Sequence, residues 1–289
     1  RTDAGDRQHR AVSAPGGGDR LAGRTAVVVG AGQTPGPRIG NGRATAITFA
    51  AHGARLLLVD RDEARALDTA TAAADAAAAA GHDLPEPVVV VTDIASAEGP
   101  ERVVAAAVDR MGGFDILHND VGIGAGDAPP HRLSDDDYDR ILDVNLRAMW
   151  RTCRAAVPVL RAQERSAIVN VSSLASIAAA TNLTAYKISK AGVNALTQNL
   201  ALTGARHGMR ANAVLPGLID TPMGVDQAAE LMGVDRDEYA ELRAGMVPLG
   251  HQGSAWDVAR AALFLASDDA AFITGVCLPV DGGQSARIG

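Results

Sequence analysis

The sequence predicts one α/β domain, in which helices cover both faces of a doubly wound parallel sheet of about seven strands. From residue 24 onward, short apolar and β-branched runs alternate with Ala-rich segments of helical period, which is the pattern of repeated strand–helix–strand units. The runs are continuously apolar, as expected of strands that are buried on both faces. No linker or second core divides residues 21–289, which are therefore predicted to form a single domain.

The individual elements follow from this alternation. The apolar runs predict strands at 25–29, 55–60, 88–92, 116–119, 167–172, 210–215 and 276–280. The periodic Ala-rich segments predict helices at 42–52, 62–80, 98–111, 135–162, 184–206 and 255–266. Residues 1–20 are polar, Gly-rich and aperiodic, so they are predicted to be a flexible extension that buries little apolar surface.

Composition argues against several classes of protein. The net charge of −7 opposes a nucleic-acid partner, because phosphate backbones are bound through concentrated basic surfaces. Cys153 and Cys277 lack the close spacing of metal or thiol-redox motifs, so no metal is expected and both are predicted to be buried free thiols. No apolar run approaches the ~20 residues that span a bilayer, and no apolar signal-peptide core is present. A cytoplasmic protein without a membrane partner is expected.

A glycine-dense turn joins the first predicted strand to the first helix in TAVVVGAGQTPGPRIGNG. Small residues there let the backbone approach a dinucleotide pyrophosphate, whose charge is stabilised by unpaired N–H groups and the positive helix end. Gly30, Gly40 and Gly42 are the candidates for this contact. Glycine and proline also mark plain turns, but the order strand, glycine loop, helix is typical of a Rossmann-type nucleotide-binding fold.

The second predicted strand ends at Asp60, 18 residues past Gly42. A carboxylate at this tip can accept hydrogen bonds from the adenosine ribose hydroxyls and would repel a 2′-phosphate, so NAD is favoured as cofactor over NADP. Arg61 beside it and Arg38 in the glycine loop keep NADP as the alternative. Asp93, after the third strand, either caps the following segment or borders the adenine ring.

Two further segments are placed at the carboxyl edge of the sheet. Asn119 and Gly122 follow the fourth strand in HNDVG and are expected at the crevice floor where strand order reverses, the usual ligand position in an open α/β sheet. After the sixth strand, Pro216 and Gly217 form a predicted turn that is followed by Thr221. This turn is suited to close over a nicotinamide ring.

The hexapeptide AYKISK places Tyr186 and Lys190 four residues apart on a predicted helix, where they share a face. Tyr has an ordinary pKa near 10, and an adjacent cation favours its phenolate, so such a pair can transfer a proton near neutral pH. The spacing alone arises often by chance. However, Lys187 and Lys190 are the only lysines among 27 basic residues, which indicates a need for an ammonium at one of them. Lys187 is predicted to point off the shared face, as a surface or substrate-side bystander.

Polar residues upstream give this pair a context. The apolar strand in AIVNVSS delivers Ser172 and Ser173 at its carboxyl end, and Ser173 precedes Tyr186 by 13 residues. A hydroxyl there can hold a carbonyl oxygen. Asn145 lies inside a predicted helix although Asn is a poor helix former. Its side chain or a locally opened backbone is predicted to hold a water in a proton relay.

Together these motifs resemble the standard short form of the short-chain dehydrogenase/reductase family, from about residue 22 to Gly283, including the closing ITGVCLPVDGG. The resemblance implies that a hydride is exchanged between the nicotinamide C4 and a substrate carbon, with Tyr186 as general acid/base. It implies that Lys190 lowers the Tyr186 pKa and bonds the nicotinamide ribose. Ser173 would orient the substrate oxygen, and Asn145 would carry the relay water.

The sequence departs from the family pattern at two places. The glycine signature TGxxxGxG has Val29 in place of its Thr, and six residues, including Pro35 and Pro37, are inserted between its first two glycines. The family's NNAG is NDVG, with Asp120 where an amide is usual. The glycine loop is therefore enlarged relative to the family pattern, whereas the proton-transfer pair matches it, and the extra carboxylate has no explanation in the sequence.

The predicted function is an NAD-dependent oxidoreductase acting on a secondary alcohol or ketone. The alternatives are an NADPH-dependent biosynthetic ketoreductase and a non-catalytic nucleotide-binding regulator. The presence of all four residues Asn145, Ser173, Tyr186 and Lys190 argues against the regulator. A lid at about 222–250 mixes apolar and acidic residues, which suggests a medium-sized apolar substrate, although an amphipathic helix core explains them equally well. The resemblance also implies a homotetramer or homodimer formed through the helices at 135–162 and 184–206.

Overall fold

The computed structural model describes residues 16–178 and 182–286. Seven parallel strands form one sheet: β1 Thr25–Val29, β2 Arg55–Asp60, β3 Val88–Val91, β4 Ile116–Asn119, β5 Ser166–Val171, β6 Met209–Pro216 and β9 Cys277–Val280. Their order across the sheet is β3-β2-β1-β4-β5-β6-β9. A small second sheet pairs β7 Ile219–Asp220 with β8 Gly253–Ser254. The predicted seven-stranded parallel sheet is confirmed.

Helices connect the strands and cover the sheet. They are α1 Asn41–Ala51, α2 Glu63–Ala79, α3 Gly99–Met111, α4 Asp135–Leu142, α5 Ala148–Arg161, α6 Thr184–Gly204, α7 Gln227–Met232, α8 Arg236–Gly245 and α9 Ala255–Ala266. None of the helices in the described ranges is long and apolar enough to cross a membrane.

Two apolar cores lie on opposite faces of the sheet, which explains why its strands are continuously apolar. Val28 points to one face, where Phe49 and neighbouring side chains of α1, α2 and α9 cover it. Val27 points to the other face, together with Met149 of α5, Val193 of α6 and part of α3. The doubly wound architecture predicted from the sequence is therefore present.

The strand order reverses between β1 and β4, and this places a crevice at their carboxyl ends. Val29, the last residue of β1, is in register with Asn119, the last residue of β4. The Asp120 N–H donates to the Val29 carbonyl at 2.9 Å. The glycine loop and the NDVG loop consequently leave the sheet side by side.

The predicted helix at 135–162 is interrupted. A π-helical segment, Asp143–Arg147, separates α4 from α5. Such a segment widens the helix by one residue without changing its composition, so the apolar periodicity of the sequence does not reveal it. π-Helical turns of this kind are frequent at functional sites.

The structure also bears on the two cysteines and on the end of the N-terminal extension. Cys153 is buried, but Cys277 is only half-buried because β9 is an edge strand of the sheet. Residues 1–15 of the predicted extension lie outside the described residues. Its last part contacts the domain, since the Gly18 N–H donates to the Ala51 carbonyl at 3.0 Å and the Gly18 carbonyl lies 3.0 Å from His82 Nε2.

Candidate active site

α6 carries Tyr186 and Lys190 on the face that meets the carboxyl end of β5. Lys190 is 3% exposed, and its Nζ donates a hydrogen bond to the Val171 carbonyl at 2.8 Å. The same Nζ lies 5.8 Å from the centre of the Tyr186 ring. Tyr186 itself is half-buried. The ammonium is thus anchored on the sheet beside a phenol that faces the crevice.

Ser173 follows β5 and begins a short 3-10 turn, in which its Oγ accepts a hydrogen bond from the Ala175 N–H at 3.1 Å. Interaction with the Ser173 hydroxyl lowers the pKa of the Tyr186 phenol. Ser172 is buried and its hydroxyl donates to the Lys190 carbonyl at 3.0 Å. Of the two serines, Ser173 is therefore the one brought to the phenol.

The charges of this cluster act on each other. Burial raises the pKa of Tyr186, its hydrogen bond with Ser173 opposes that rise, and the charge of Asp120 adds to it. Burial lowers the pKa of Lys190 to about 8, and the charge of Asp120 opposes this fall. The lowering of the Tyr186 pKa by Lys190, which the family resemblance implies, stays a prediction.

Asn145 lies in the π-helical segment and is completely buried. Its Oδ1 accepts from the Ile123 N–H at 2.7 Å, and its Nδ2 donates to the Ile123 carbonyl at 2.9 Å and to Ser189 Oγ at 3.1 Å. The side chain therefore clamps the loop after β4 onto α6. A locally opened helix backbone is one of the two alternatives that the sequence suggests at Asn145, and the structure has a π-helix there.

The glycine loop brings two backbones into contact in the crevice. A Cβ on Gly42 would lie 1.9 Å from the Gly30 carbonyl oxygen, and a Cβ on Gly30 would lie 2.9 Å from the Val121 side chain. Gly30 also has a φ of 85°, a left-handed conformation that favours glycine. Gly40 is the N-cap residue of α1, and its N–H donates to Gln33 Oε1 at 2.9 Å.

Asp60 lies at the tip of β2, as predicted, and is held by two backbone groups. Its Oδ2 accepts from the Gly32 N–H at 2.8 Å, and its Oδ1 accepts from the Asp62 N–H at 3.0 Å. A Cβ on Gly32 would lie 2.6 Å from this carboxylate, so Gly32 is needed here although the sequence pattern does not identify it. Asp93 is exposed and accepts from the Ala95 N–H at 2.8 Å. This contact corresponds to the first of its two predicted roles, capping of the segment that follows β3.

Asn119 and Gly122 occupy different levels of the crevice. The Asn119 side chain is buried in the sheet, where its Nδ2 donates to Asn170 Oδ1 at 2.9 Å and joins β4 to β5. A Cβ on Gly122 would lie 3.2 Å from Lys190 Nζ. Gly122 therefore faces Lys190 of α6, whereas the Asn119 side chain lies within the sheet and joins two of its strands.

The predicted turn after β6 leads directly into the predicted lid segment, about 222–250. The Gly217 N–H donates to the Val280 carbonyl at 3.0 Å, which ties Pro216 and Gly217 to β9. Thr221 is buried, and its Oγ1 accepts from the Gly224 N–H at 3.1 Å at the start of a π-helical turn, Pro222–Asp226. α7 and α8 follow this turn.

Comparison with known proteins identifies the family. A family model described as enoyl-(acyl carrier protein) reductase matches residues 38–285. The 3β-hydroxysteroid dehydrogenase 1 of Eggerthella lenta is 35% identical over 92% of this chain and 95% of its own length. A Burkholderia xenovorans structure described as a short-chain dehydrogenase/reductase is 37% identical, with a TM-score of 0.85 over 94% of this chain and 100% of that one. The chain belongs to the short-chain dehydrogenase/reductase family.

A further solved member of the short-chain dehydrogenase/reductase family is the carveol dehydrogenase of Mycobacterium avium, determined in complex with NAD. It is 28% identical, with a TM-score of 0.83, and the match covers 93% of this chain and 100% of that chain. The chain described here is accordingly an oxidoreductase of the alcohol and ketone class.

The inserted part of the glycine loop, which distinguishes this short-chain dehydrogenase/reductase, reaches the lid. Arg38 Nε lies 2.9 Å from Asp220 Oδ2. Asp220 also pairs with Arg236 of α8, and Arg236 Nε lies 3.0 Å from Asp226 Oδ1. A Cβ on Gly36 would lie 2.4 Å from Asp226 Oδ2. Ion pairs and close packing therefore join the glycine loop to the predicted lid segment and to β7, which precedes it.

Lys187 has a structural role that corrects its interpretation as a bystander. Its Nζ donates to the Ala175 carbonyl at 3.1 Å and to the Ala178 carbonyl at 2.6 Å. These bonds tie the segment after Ser173 to α6. The scarcity of lysine in the sequence therefore marks two ammonium groups that bind backbone carbonyls around the same site.

Asp127 holds the N-terminus of α6, and the sequence pattern does not identify it. Its carboxylate accepts hydrogen bonds from the backbone N–H groups of Ala185, at 3.1 Å, and Tyr186, at 2.7 Å. The N-cap residue Leu183 provides no side-chain hydrogen bond. Because Asp127 precedes Tyr186 by 59 residues, no local capping motif indicates the contact.

We expect Asp127→Ala to lower the free energy of unfolding by about 1–2 kcal/mol, because two N–H groups at a helix N-terminus lose their acceptor. Urea denaturation measures this difference. Asp127→Asn, which keeps one oxygen acceptor, should lose less. Asp75→Ala, on the exposed face of α2, is the control and should stay within about 0.5 kcal/mol of wild type. A wild-type midpoint for Asp127→Ala would show that α6 does not depend on this carboxylate.

Proposed function

We propose that the chain is an NAD-dependent dehydrogenase/reductase that exchanges a hydride with a secondary alcohol or ketone. The observation that carries this proposal is the cluster of Ser173, Tyr186 and Lys190 at the carboxyl edge of the sheet, beside the π-helical segment that contains Asn145. A non-catalytic nucleotide-binding regulator would not require these polar groups to converge.

The crevice residues fit a nicotinamide dinucleotide. Gly30 and Gly42 form a cradle that no Cβ could enter, at the N-terminus of α1, where a pyrophosphate would be stabilised by free N–H groups and the helix dipole. Gly122 and Lys190, across the crevice, would hold the nicotinamide ribose. Pro216, Gly217 and Thr221 would lie beside the nicotinamide, which supplies or accepts the hydride when bound.

The proton is handled by the chain itself. In ketone reduction, the Tyr186 phenol donates its proton to the substrate oxygen, and in alcohol oxidation the phenolate accepts it. Ser173 donates a hydrogen bond to the same oxygen. The Lys190 ammonium stabilises the phenolate, and each unit by which a pKa falls is equivalent to about 1.4 kcal/mol. The π-helical backbone at Asn145 holds the water that exchanges this proton with solvent.

Two features support NAD rather than NADP. Both oxygens of Asp60 are held by backbone N–H groups, which keeps a negative charge fixed where a 2′-phosphate would bind. Arg38, a cation that could have offset this charge, is paired with Asp220. The NAD complex of the related carveol dehydrogenase agrees with this choice.

We expect NADH to bind at least about tenfold more tightly than NADPH, a difference of about 1.4 kcal/mol. Fluorescence titration of both cofactors measures it. Asp60→Ala should reduce this preference, mainly by improving NADPH binding, whereas Asp75→Ala on the exposed face of α2 should leave it unchanged. Tighter binding of NADPH by the wild type would contradict the assignment and favour a biosynthetic ketoreductase.

A cyclic, largely apolar secondary alcohol is the substrate class that we propose. Apolar side chains of the lid are exposed: Met223, Leu231, Met232, Leu242 and Met246. The related proteins named for a 3β-hydroxysteroid and for carveol agree with this class. A screen of cyclic and acyclic secondary alcohols, followed by the absorbance of NADH, tests the proposed function. Absence of turnover across both series would overturn it.

The homodimer or homotetramer implied by the family stays a proposal. Leu146, Trp150 and Leu196 line a shared apolar depression between the segment preceding α5, α5 itself and α6, and Trp150 is 44% exposed. A second copy of the chain would cover this surface.

A further inference from the structure

The loop after β4 carries a carboxylate that the proposed function does not use. Asp120 stands where the family has an amide, and its side chain is half-buried at the crevice floor. Its Oδ2 lies 3.0 Å from the position that a Cβ on Gly42 would occupy. The carboxylate therefore points into the space between the glycine cradle and α6.

The same loop contacts several members of the proton-transfer cluster. Gly122 follows Asp120 by two residues and lies against Lys190. A Cβ on Gly122 would be 3.2 Å from Lys190 Nζ. The Ile123 N–H donates to Asn145 Oδ1, and Asn145 Nδ2 donates to the Ile123 carbonyl. The loop that carries Asp120 is thus held in place by contacts with Asn145 and Lys190, two residues proposed for catalysis.

Asp120 interacts electrostatically with both titratable residues on α6. Its charge raises the pKa of Lys190 and raises the pKa of Tyr186. Burial raises the pKa of Asp120 itself to about 7, and the charge of Lys190 opposes that rise. The carboxylate therefore gains its charge within the pH range in which dehydrogenases are usually assayed.

Charged groups on the other surrounding elements already have partners. Asp60, at the end of β2, accepts from two backbone N–H groups. Arg43 of α1 is paired with Asp68 of α2. In the described part of the chain, Tyr186 and Lys190 are the groups whose pKa values are raised by the charge of Asp120.

We propose that Asp120 is a positioning residue whose carboxylate holds the transferable proton on Tyr186 and the charge on Lys190, and thereby favours the protonated phenol that ketone reduction uses. This inference rests on the proposed function. In that reaction the Tyr186 O–H bond breaks and its proton passes to the substrate oxygen. The hydride of NADH forms the new C–H bond, so the ketone is reduced and NADH is oxidised.

Asp120→Asn tests this role because it removes the charge and keeps the shape, and an amide is the family's usual residue. Loss of a nearby negative charge makes the phenolate easier to form. The acidic limb of the pH profile of kcat/KM for alcohol oxidation should therefore move to lower pH by about one unit. Asp120→Glu should retain the wild-type profile, and so should Asp75→Asn, a charge control on the exposed face of α2. An unshifted profile for Asp120→Asn would overturn the proposal.

A second readout does not depend on turnover. The ultraviolet absorbance of the phenolate follows tyrosine ionisation, and subtracting the curve of Tyr186→Phe removes the contribution of Tyr138 and Tyr239. Tyr186 should ionise at lower pH in Asp120→Asn than in wild type. If no alcohol is oxidised, the proposed function fails but this titration still tests Asp120. Identical ionisation curves would refute the role of Asp120 even in an active enzyme.

Discussion

Replacement of Tyr186 by phenylalanine is expected to lower kcat for ketone reduction by about a thousandfold, the contribution typical of a general acid. Only the hydroxyl is removed, so the ring should keep its place 5.8 Å from Lys190 Nζ. NADH affinity should therefore stay within about threefold of wild type, because the lost group acts on the substrate proton rather than on cofactor binding. Steady-state kinetics and a fluorescence titration of NADH measure the two effects separately.

Tyr138→Phe is the matched control, since Tyr138 lies on α4 and takes no part in the cluster of Ser173, Tyr186 and Lys190. It should retain wild-type kcat. If Tyr186→Phe kept more than about a tenth of the wild-type rate, a positioned proton donor would not be needed and the assignment of Tyr186 would fail. A matching loss of NADH binding would instead indicate that the hydroxyl holds the cofactor.

The strands of the sheet were predictable because both of its faces are buried. Continuous apolar runs locate β1, β2 and β4 at the residues where the structure has them. Ala-rich periodicity likewise locates the helices, but it treats the segment 135–162 as one helix. The π-helical turn at Asn145 is stabilised by the side chain's bonds to Ile123 and Ser189, and such tertiary contacts leave no periodic signal.

The candidate cluster of Ser173, Tyr186 and Lys190 could be proposed from the sequence for a related reason. Tyr186 and Lys190 are close in sequence on one helix face, and Ser173 follows a recognisable buried strand. Contacts between residues that are far apart in the sequence were not predictable. Asp127 contacts Tyr186 from 59 residues away, and Arg38 meets Asp220 across 182 residues. Only the folded chain brings these pairs together.

The glycine loop shows what geometry adds to a motif. From the sequence alone, Gly30, Gly40 and Gly42 are equivalent candidates for contact with a pyrophosphate. The structure separates them, because a Cβ on Gly42 would lie 1.9 Å from the Gly30 carbonyl oxygen, whereas a Cβ on Gly40 would meet only Gln33 Oε1 at 3.7 Å. The requirement for glycine is therefore steric at Gly42 and much weaker at Gly40.

Gly42→Ala is accordingly expected to weaken NADH binding by about a hundredfold and to lower the free energy of unfolding by about 1–3 kcal/mol, as overpacked sites typically do. The added Cβ would meet a backbone carbonyl oxygen, and Gly30 is fixed by its N–H bond to the Val59 carbonyl at 2.9 Å. Either β1 or the start of α1 must move, and this displaces the N–H groups proposed to bind the pyrophosphate. Isothermal titration with NADH and urea denaturation measure the two losses.

The sign of the stability change makes this test decisive. Gly42 lies in the first turn of α1, and a glycine-to-alanine change inside a helix would otherwise stabilise it by about 1 kcal/mol. A loss of stability therefore reports the contact with Gly30 rather than helix propensity. Gly40→Ala is the control for stability and should stay within about 0.5 kcal/mol of wild type. Wild-type NADH affinity in Gly42→Ala would mean that the pyrophosphate does not lie against this pair of glycines.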